Sequence, residues 1–233
     1  MKIAVISDIH GNLEALSAVL TEIDKRNIQS IYCLGDIVGY GPNPNECIEL
    51  MRSRIIPSVA GNHDKAVTGE LSIDSFSQMA KAGVLWTKSE ITEENEEYLL
   101  NLPYVIQEHN IVFVHSSPDY PEEFRYLLSP EDARESFDYF STPLCVVGHT
   151  HRPVVFCEDA RTKEITAEKK FIVNVGSVGQ PRDGNWKACF VMMDTEQYTL
   201  EFVRVEYDVE SVRKKIETAG LPQKLADRLL VGM

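Results

Sequence analysis

Apolar runs that end in polar residues alternate with amphipathic stretches in the amino-terminal part of the chain. The runs at 2–7, 30–34 and 55–60 predict three buried strands. Between the first two, apolar residues recur at three- and four-residue steps and predict a helix over 12–26. Pro44, at a first helical position, predicts a second helix to about residue 52. This order of strand, polar site and helix predicts an α/β sheet with polar groups at the carboxyl ends of its strands.

The pattern changes twice in the rest of the chain. Residues 72–102 lack such a polar site and predict two helices, which we interpret as a helical insertion that could cover the site. From residue 154 onward the pattern is typical of strands joined by turns. The other predicted strands are 103–108 and 111–115 (a hairpin), 144–147, 154–158, 165–175, 188–194 and 199–206, and the other predicted helices run from Pro130 to about Phe140, over 209–218 and after Pro222. We therefore expect two packed sheets flanked by helices.

Composition and charge limit the classes of protein. A chain of 233 residues fits one compact domain, so we expect a single domain over 1–233. The formal net charge of −13 argues against a surface for large nucleic acids, which needs clustered Lys and Arg. It does not exclude an anionic substrate, because bound metal ions would be the largest positive charges in a site.

Cysteine usage and hydropathy predict the compartment. The five cysteines are an odd number without a Cys-x-x-Cys pair, which favours a reducing environment. No apolar stretch approaches the roughly 18 residues that cross a bilayer. We expect a soluble, cytoplasmic protein that does not bind membranes.

Five short blocks carry side chains that bind metals. They are Asp8-Ile9-His10, Gly35-Asp36, Gly61-Asn62-His63-Asp64, His115 after a strand, and Gly148-His149-Thr150-His151. A lone histidine is more often a satisfied core or surface residue than a ligand, but five blocks in this order are hard to obtain by chance. Together they supply ligands for two metal ions, and two metals imply hydrolysis of a phosphate ester.

The spacing within the blocks favours shared ions. On an extended segment residues two apart face the same way, so Asp8 and His10 can reach one ion, as can His149 and His151. Asp36 follows a glycine at a strand end, where a carboxylate can bridge two metals. Mixed nitrogen and oxygen ligands suit Mn, Fe, Zn, Co or Ni better than Ca or Mg, and the sequence does not choose among them.

The ordered set of Asp-x-His, Gly-Asp-x-x-Gly, Gly-Asn-His-Asp, a lone His and Gly-His-x-His resembles the calcineurin-like metallophosphoesterase superfamily, in its small bacterial and archaeal phosphodiesterase-like branch. The resemblance implies a four-layer α/β/β/α sandwich with two mixed β-sheets flanked by helices. It also implies two metal ions that share one carboxylate. The implied ligands are Asp8, His10, Asp36 and His151 for one ion, and Asp36, Asn62, His115 and His149 for the other.

The resemblance assigns the residues around the scissile phosphate as well. It implies attack by a metal-bridging hydroxide, with Asn62 and His63 in contact with substrate and His63 as proton donor to the leaving oxygen. Asp64 would fix either the tautomer of His63 or a neighbouring loop. A glycine-rich block at 174–184 follows a strand, and its Arg182 could form a two-pronged contact with a substrate phosphate. Such a loop is also often just a turn.

Several functions remain open at this level. The first hypothesis is a phosphoesterase for a small phosphomonoester or phosphodiester, and dinucleoside polyphosphates and phosphoproteins are alternatives within the superfamily. The other class is a non-catalytic scaffold of the same fold, which usually shows lost ligands, and none is lost here. The sequence does not define the substrate or the oligomeric state, because the motifs do not encode the pocket walls.

Overall fold

The structure is a computed structural model that describes residues 1–159, 162 and 165–233. Its strands form a four-stranded and a five-stranded sheet. The strands are β1 Lys2–Ile6, β2 Ser30–Cys33, β3 Val105–Glu108, β4 Ile111–Val114, β5 Leu144–Val147, β6 Val154–Cys157, β7 Phe171–Asn174, β8 Ala188–Asp194 and β9 Thr199–Val205. The helices are α1 Leu13–Lys25, α2 Pro44–Ser53, α3 Asn62–Val67, α4 Gln78–Glu90, α5 Glu93–Leu100, α6 Pro130–Ser136, α7 Val209–Thr218 and α8 Gln223–Asp227.

The first sheet has the order β2-β1-β8-β9. Strand β1 pairs parallel with β2 and antiparallel with β8, so the sheet is mixed. Side chains alternate between the two faces of a strand, and in β1 both faces are apolar. Ile3 and Val5 pack in the core between the sheets, whereas Ala4 and Ile6 pack against the helices. This explains why β1 is a continuous apolar run rather than an alternating one.

The second sheet has the order β3-β4-β5-β7-β6, in which β4, β5 and β7 are parallel. The same alternation places Ile111 and Phe113 of β4 in the core between the sheets. Val112 and Val114 belong to a separate core that includes Ala133 of α6. The sheet therefore separates two apolar layers.

These packing layers confirm the predicted architecture. Helices α1, α2 and α7 share a core with the outer face of the first sheet, and α6 covers the outer face of the second. The result is two mixed sheets between helices, as the sequence predicted. The parallel strands β1 and β2 of one sheet, and β4 and β5 of the other, end on the same side of the sandwich, where their following loops meet.

The predicted strand over 55–60 is wrong. That segment makes a single parallel bridge, between Ser58 and Cys33. Pro57 has no N–H to extend the ladder, and the N–H of Ala60 donates to the carbonyl of Pro103 at 2.8 Å, outside the sheet. The prediction for 165–175 is also too long, because β7 begins at Phe171.

The segment 72–102 holds the two predicted helices, α4 and α5. Ser77 caps α4 by accepting the N–H of Ala80, and Thr92 caps α5 by accepting the N–H of Asn95. In the part of the chain that the structure describes, no helix is long and apolar enough to traverse a bilayer. All five cysteines are free, and four of them are buried.

Candidate metal centre

Loops after the parallel strands of both sheets meet at one buried cluster. The loop after β1 carries Asp8 and His10, and the loop after β2 carries Asp36. The loop after β4 contributes His115, and the loop after β5 contributes the two histidines of Gly148-His149-Thr150-His151. Helix α3 begins at the same place with Asn62 and His63. All of these side chains are buried, so the sequence blocks do come together.

One group of ligand-type atoms consists of Asp8, His10 and His151, whose atoms all lie within 4.8 Å of one another. The two Nε2 atoms of His10 and His151 face each other at 3.2 Å. Oδ1 of Asp8 lies 3.3 Å from Nε2 of His151. Two ring nitrogens and a carboxylate oxygen thus converge on one point.

A second group consists of Asp36, His115 and His149. Nε2 of His115 lies 3.1 Å from Nδ1 of His149 and 3.4 Å from Oδ2 of Asp36. The same Oδ2 atom lies 3.6 Å from Nε2 of His10, which belongs to the first group. Asp36 therefore lies between the two groups, as the bridging prediction requires.

Main-chain carbonyls orient three of the four histidines. The Nδ1 atoms of His10, His115 and His151 each contact a carbonyl oxygen, which can only accept, so each Nδ1 carries the proton. The acceptors are Val38 at 3.0 Å, Leu34 at 2.6 Å and Gln180 at 2.5 Å, respectively. This arrangement turns Nε2 toward the cluster and is the usual support for metal-binding imidazoles. Sequence reasoning missed these three residues, because a carbonyl group carries no residue-type signal.

The backbone at the ligand loops is left-handed rather than extended. Asp8, His10, Asp36, His149 and His151 have φ angles of 54°, 51°, 51°, 66° and 59°. These loops are therefore not extended, although Asp8 and His10 do join one group as predicted. The predicted sharing of one ion by His149 and His151 is wrong, because they join different groups. Non-glycine residues adopt this region at a cost of about 1–3 kcal/mol each, so the surrounding contacts must hold these loops in place.

Asp64 holds the loop that carries Asp36. Its carboxylate accepts the N–H groups of Asp36 at 2.8 Å and Ile37 at 2.9 Å, and those of Val38 and Gly61 at 3.2 and 2.9 Å. Among the described residues it makes no hydrogen bond to the His63 ring. Of the two roles considered for Asp64, these contacts support the one in which it positions a neighbouring loop.

His63 lies beside the two groups, on the pocket side. Its ring contacts Tyr40 with centroids 4.5 Å apart, and Phe76 with centroids 5.2 Å apart. Its main-chain N–H donates to Oδ1 of Asp36 at 2.8 Å. A ring nitrogen of His63 also lies within 4.8 Å of the ligand-type atoms of His10 and Asp36, so the ring is close enough to contact a group bound at the cluster.

The charges of the cluster are set by burial and by its own members. Burial raises the pKa of Asp8 to about 7. Burial opposes the ionisation of Asp36, but His115 and the other histidines outweigh it and hold the pKa of Asp36 well below its usual value. For His115, burial lowers the pKa, but Asp36 overcomes this and raises the pKa to about 9. Without metal, the cluster thus holds one ion pair, His115 with Asp36.

The remaining histidines of the cluster are neutral. Burial lowers the pKa values of His10, His149 and His151 well below 6.5. The two Nε2 atoms of His10 and His151 therefore present lone pairs to each other across 3.2 Å, a contact that repels unless a cation lies between them. Neutral imidazole is also the form that binds metals.

Several buried polar atoms of the cluster lack a hydrogen-bond partner, which fits a site for a cation. Oδ1 of Asp8, Oδ1 of Asn62 and Nε2 of His149 are buried and have no hydrogen-bond partner among the described residues. Buried polar atoms are otherwise nearly always paired. The donor set of imidazole nitrogens, carboxylates and an amide oxygen thus fits transition metal ions.

The block at 174–184 braces the ligand loops and also reaches the pocket. Ser177 Oγ donates to the carbonyl of Asp8 at 2.8 Å, and Asn174 Nδ2 donates to Thr150 Oγ1 at 3.0 Å. Arg182 lines a pocket of about 440 Å³ whose floor includes His63 and His149. The block is therefore more than a turn, and Arg182 lies at a pocket beside the cluster.

Known proteins of similar sequence and structure place the chain in a family. A family model, the calcineurin-like phosphoesterase superfamily domain, matches residues 1–198. The uncharacterized protein MJ0912 of Methanocaldococcus jannaschii is 45% identical over 240 residues, which cover 99% of this chain and 98% of that protein. The crystal structure of a metallophosphoesterase from Sphaerobacter thermophilus is 39% identical, with a TM-score of 0.88 and coverage of 100% of this chain and 99% of that one.

A more distant structure shares the fold. The hypothetical protein PH1004 of Pyrococcus horikoshii OT3 is 24% identical, with a TM-score of 0.86 over 100% of this chain and 98% of that one. The resemblance read from the sequence motifs is confirmed by these matches. The family model covers most of the chain, and together with the relatives it shows that the chain belongs to the calcineurin-like phosphoesterase superfamily.

Proposed function

We propose that the protein is a two-metal phosphoesterase that hydrolyses a phosphodiester or phosphomonoester of a small molecule. One observation carries the proposal: Oδ2 of Asp36 lies 3.6 Å from Nε2 of His10 and 3.4 Å from Nε2 of His115. A single carboxylate oxygen shared by two groups of donors suits a pair of metal ions, because these donors are neutral or can lose their protons when a metal binds. Asp8, His10, Asp36 and His151 would hold one ion, and Asp36, Asn62, His115 and His149 the other.

The ions, when bound, would supply an activated water and polarise the phosphoryl oxygens. The chain itself supplies the geometry. Asp64 fixes the loop of Asp36, and the carbonyls of Val38, Leu34 and Gln180 fix the imidazole rings. Because these contacts are made before substrate binds, the donors do not have to reorganise during the reaction.

His63 is the residue that we assign to proton donation to the leaving oxygen. Burial lowers the pKa of His63 to about 4, although Asp36 opposes this. The free ring is thus neutral at pH 7, and it needs the negative charge of a bound phosphate to take up the proton that it donates. Asn62 also lines the pocket and would contact the same phosphate.

Metal analysis and a hydrolysis screen test the proposal. Protein loaded with Mn, Fe, Zn, Co or Ni should hold about two ions per chain and hydrolyse a chromogenic phosphodiester or phosphomonoester. A screen that includes nucleotides, dinucleotides and phosphopeptides would separate the substrate classes. If the protein holds metal but hydrolyses none of these substrates, it is a scaffold. If it binds no metal, the proposed metal site is contradicted.

The role of His63 has a sharper test. The His63→Ala variant should keep its metal content, since His63 is not among the proposed ligands. Its turnover should fall by about 10²–10⁴-fold with an alkyl ester, whose leaving oxygen needs a proton, and by much less with a nitrophenyl ester. An equal loss of turnover with both esters would show that His63 does not donate the proton. A loss of metal content would show that His63 is a metal ligand.

A further inference from the structure

The pocket above the cluster contains a second basic residue that no sequence motif marks. Arg228 follows α8 and lines the same pocket of about 440 Å³ as Arg182 and His63. That volume lies in the range of small-molecule sites. The other walls include the aromatic rings of Phe76, Phe124 and Tyr126. The pocket therefore combines apolar walls with two positive charges.

Both guanidinium groups lie against one tyrosine. The Cζ atom of Arg182 is 5.8 Å from the centroid of the Tyr40 ring, and that of Arg228 is 5.9 Å from it. The Tyr40 ring in turn contacts the His63 ring, with centroids 4.5 Å apart. The two arginines thus lie about one aromatic ring away from the residue assigned to the scissile phosphate.

Both arginines keep unused donors. In the described part of the chain neither forms an ion pair with an Asp or Glu side chain within 4.0 Å. Arg182 donates from Nη2 to Oε1 of Gln180 at 3.0 Å, while its Nε is buried without a partner. Arg228 donates from Nε to the main-chain oxygen of Met233, and its two terminal nitrogens have no hydrogen-bond partner among the described residues.

The proximity of the two charges is unfavourable in the free protein. Burial, and then the charge of Arg182, lower the pKa of Arg228 to about 10. Among the described residues that line the pocket, Glu123 is the one acidic side chain, and it is exposed. Two close cations without an acidic side chain paired to either are stabilised by a bound anion, and an arginine fork suits phosphate.

We propose that Arg228, together with Arg182, binds a phosphoryl group next to the scissile one, so that the preferred substrates carry at least two phosphates in a chain. This rests on the proposed function, because His63, Asn62 and the metal cluster are taken to hold the scissile phosphate. An anion at the arginines is then a second group rather than the same one. Nucleoside polyphosphates and dinucleoside polyphosphates both have this chemistry. In them water would attack the scissile phosphorus, the phosphoanhydride bond to the neighbouring phosphate would break, and that phosphate or nucleotide would leave.

Kinetics on matched substrates test the inference. We would compare the wild type with Arg228→Gln, Arg228→Lys and Arg134→Gln, on p-nitrophenyl phosphate, ADP, ATP and diadenosine tetraphosphate. Arg134 is exposed on α6, so its variant removes the same charge away from the pocket. For Arg228→Gln, the ratio of kcat/KM on the polyphosphates to kcat/KM on p-nitrophenyl phosphate should fall about tenfold or more. Lysine should restore part of this ratio, because it keeps the charge but not the fork.

The outcomes separate the two proposals. If the wild type hydrolyses none of the four substrates, the proposed function fails. If it hydrolyses p-nitrophenyl phosphate but Arg228→Gln lowers all substrates equally, the second-phosphate site is overturned while the proposed function stands. The second-phosphate site is also overturned if pyrophosphate inhibits the wild type no better than orthophosphate does. If kcat/KM of Arg228→Gln falls on ATP and ADP but not on diadenosine tetraphosphate, the preferred substrates are nucleoside polyphosphates. The reverse result would identify dinucleoside polyphosphates.

Discussion

A Cβ atom at position 61 would come 2.1 Å from Oδ1 of Asp36. Gly61 has φ of −95°, so its role here is to leave room rather than to adopt a left-handed turn. We expect Gly61→Ala to displace the Asp36 carboxylate, on which both metal groups depend. Metal content measured by mass spectrometry should fall from about two ions per chain to below one, and hydrolysis should fall with it.

The control for this variant is Gly184→Ala. Gly184 has φ of +81° but nothing within 4 Å of the position of a new Cβ atom. Its substitution strains the backbone by about 1 kcal/mol without filling the site. This variant should bind metal as the wild type does. Full metal content in Gly61→Ala would contradict the prediction, because the Asp36 loop would then be able to move and accommodate the new side chain.

Asp64 offers a second test of how the ligand loop is held. Its buried carboxylate accepts four main-chain N–H groups, including those of Asp36 and Gly61. In Asp64→Asn an NH₂ group must face some of these donors, so the free energy of unfolding should fall by about 3 kcal/mol or more. Denaturant unfolding of the metal-free protein would measure this, and metal affinity should fall as well.

Asp132→Asn is the matched control for that variant. The Asp132 carboxylate also accepts main-chain N–H groups, those of Leu128 and Ser129, but it does so at an exposed helix start. Water can replace these bonds, so this variant should lose much less stability and no metal affinity. Equal losses in the two variants would mean that Asp64 is only a helix cap.

The motif order predicted the site, and the apolar runs predicted most of the sheet. Strand β1 reads as continuously apolar because Ile3 and Ala4 face different cores, and that pattern is visible in the sequence. Asp8 and Asp36 follow β1 and β2 at the points where those strands end. Residue type and strand position were sufficient for these features.

Other features depend on backbone geometry or on distant packing. The left-handed φ angles of Asp8 and His10 could not be predicted, since an aspartate or histidine in that region is uncommon. The carbonyl of Gln180 supports His151 whatever side chain residue 180 carries. Arg228 enters the pocket only because the carboxyl-terminal segment folds back over Tyr40, and no local pattern reports this.

Metal binding should release protons, because two proposed ligands hold them in the metal-free protein. Burial raises the pKa of Asp8 to about 7, and Asp36 overcomes burial to raise the pKa of His115 to about 9. Calorimetry in buffers of different ionisation enthalpy should therefore find about two protons released near pH 6 and about one near pH 8. Metal affinity should rise with pH over the same range. A proton release independent of pH would contradict the prediction.

The same shifts predict a fall in stability of the metal-free protein as the pH rises. Asp8 is favoured in its protonated form in the folded state, so its contribution is lost as the pH rises through about 7. The His115 contribution is lost as the pH rises through its folded pKa of about 9. The neutral histidines with lowered pKa values act in the opposite direction below about pH 7, where the unfolded state binds more protons than they do. The unfolding temperature of the metal-free protein should therefore fall between pH 7 and 9. Metal-loaded protein should lack this fall, since its ligands are deprotonated throughout, and equal slopes would contradict the prediction.

Tyr126 covers one proposed ligand of the second ion. Its ring stacks on the His149 ring with centroids 4.0 Å apart and planes at 28°. Such a contact contributes about 0.5–1.5 kcal/mol, so Tyr126→Ala should speed the loss of metal to a chelator about 2- to 10-fold. The effect should be limited to one of two ions, because His10 and His151 hold the other without contact to this ring. Stopped-flow chelation would resolve the two phases.

Two further variants make the Tyr126 prediction specific. Tyr126→Phe keeps the stacked ring and should release metal at the wild-type rate. Tyr139→Ala removes a tyrosine that is equally exposed, at 52% for both, but contacts Tyr120 instead of a ligand. If Tyr139→Ala speeds metal loss as much as Tyr126→Ala does, the effect comes from general loosening of the surface and not from the stack on His149. A change in both chelation phases would show that the ring shields the whole cluster rather than one ion.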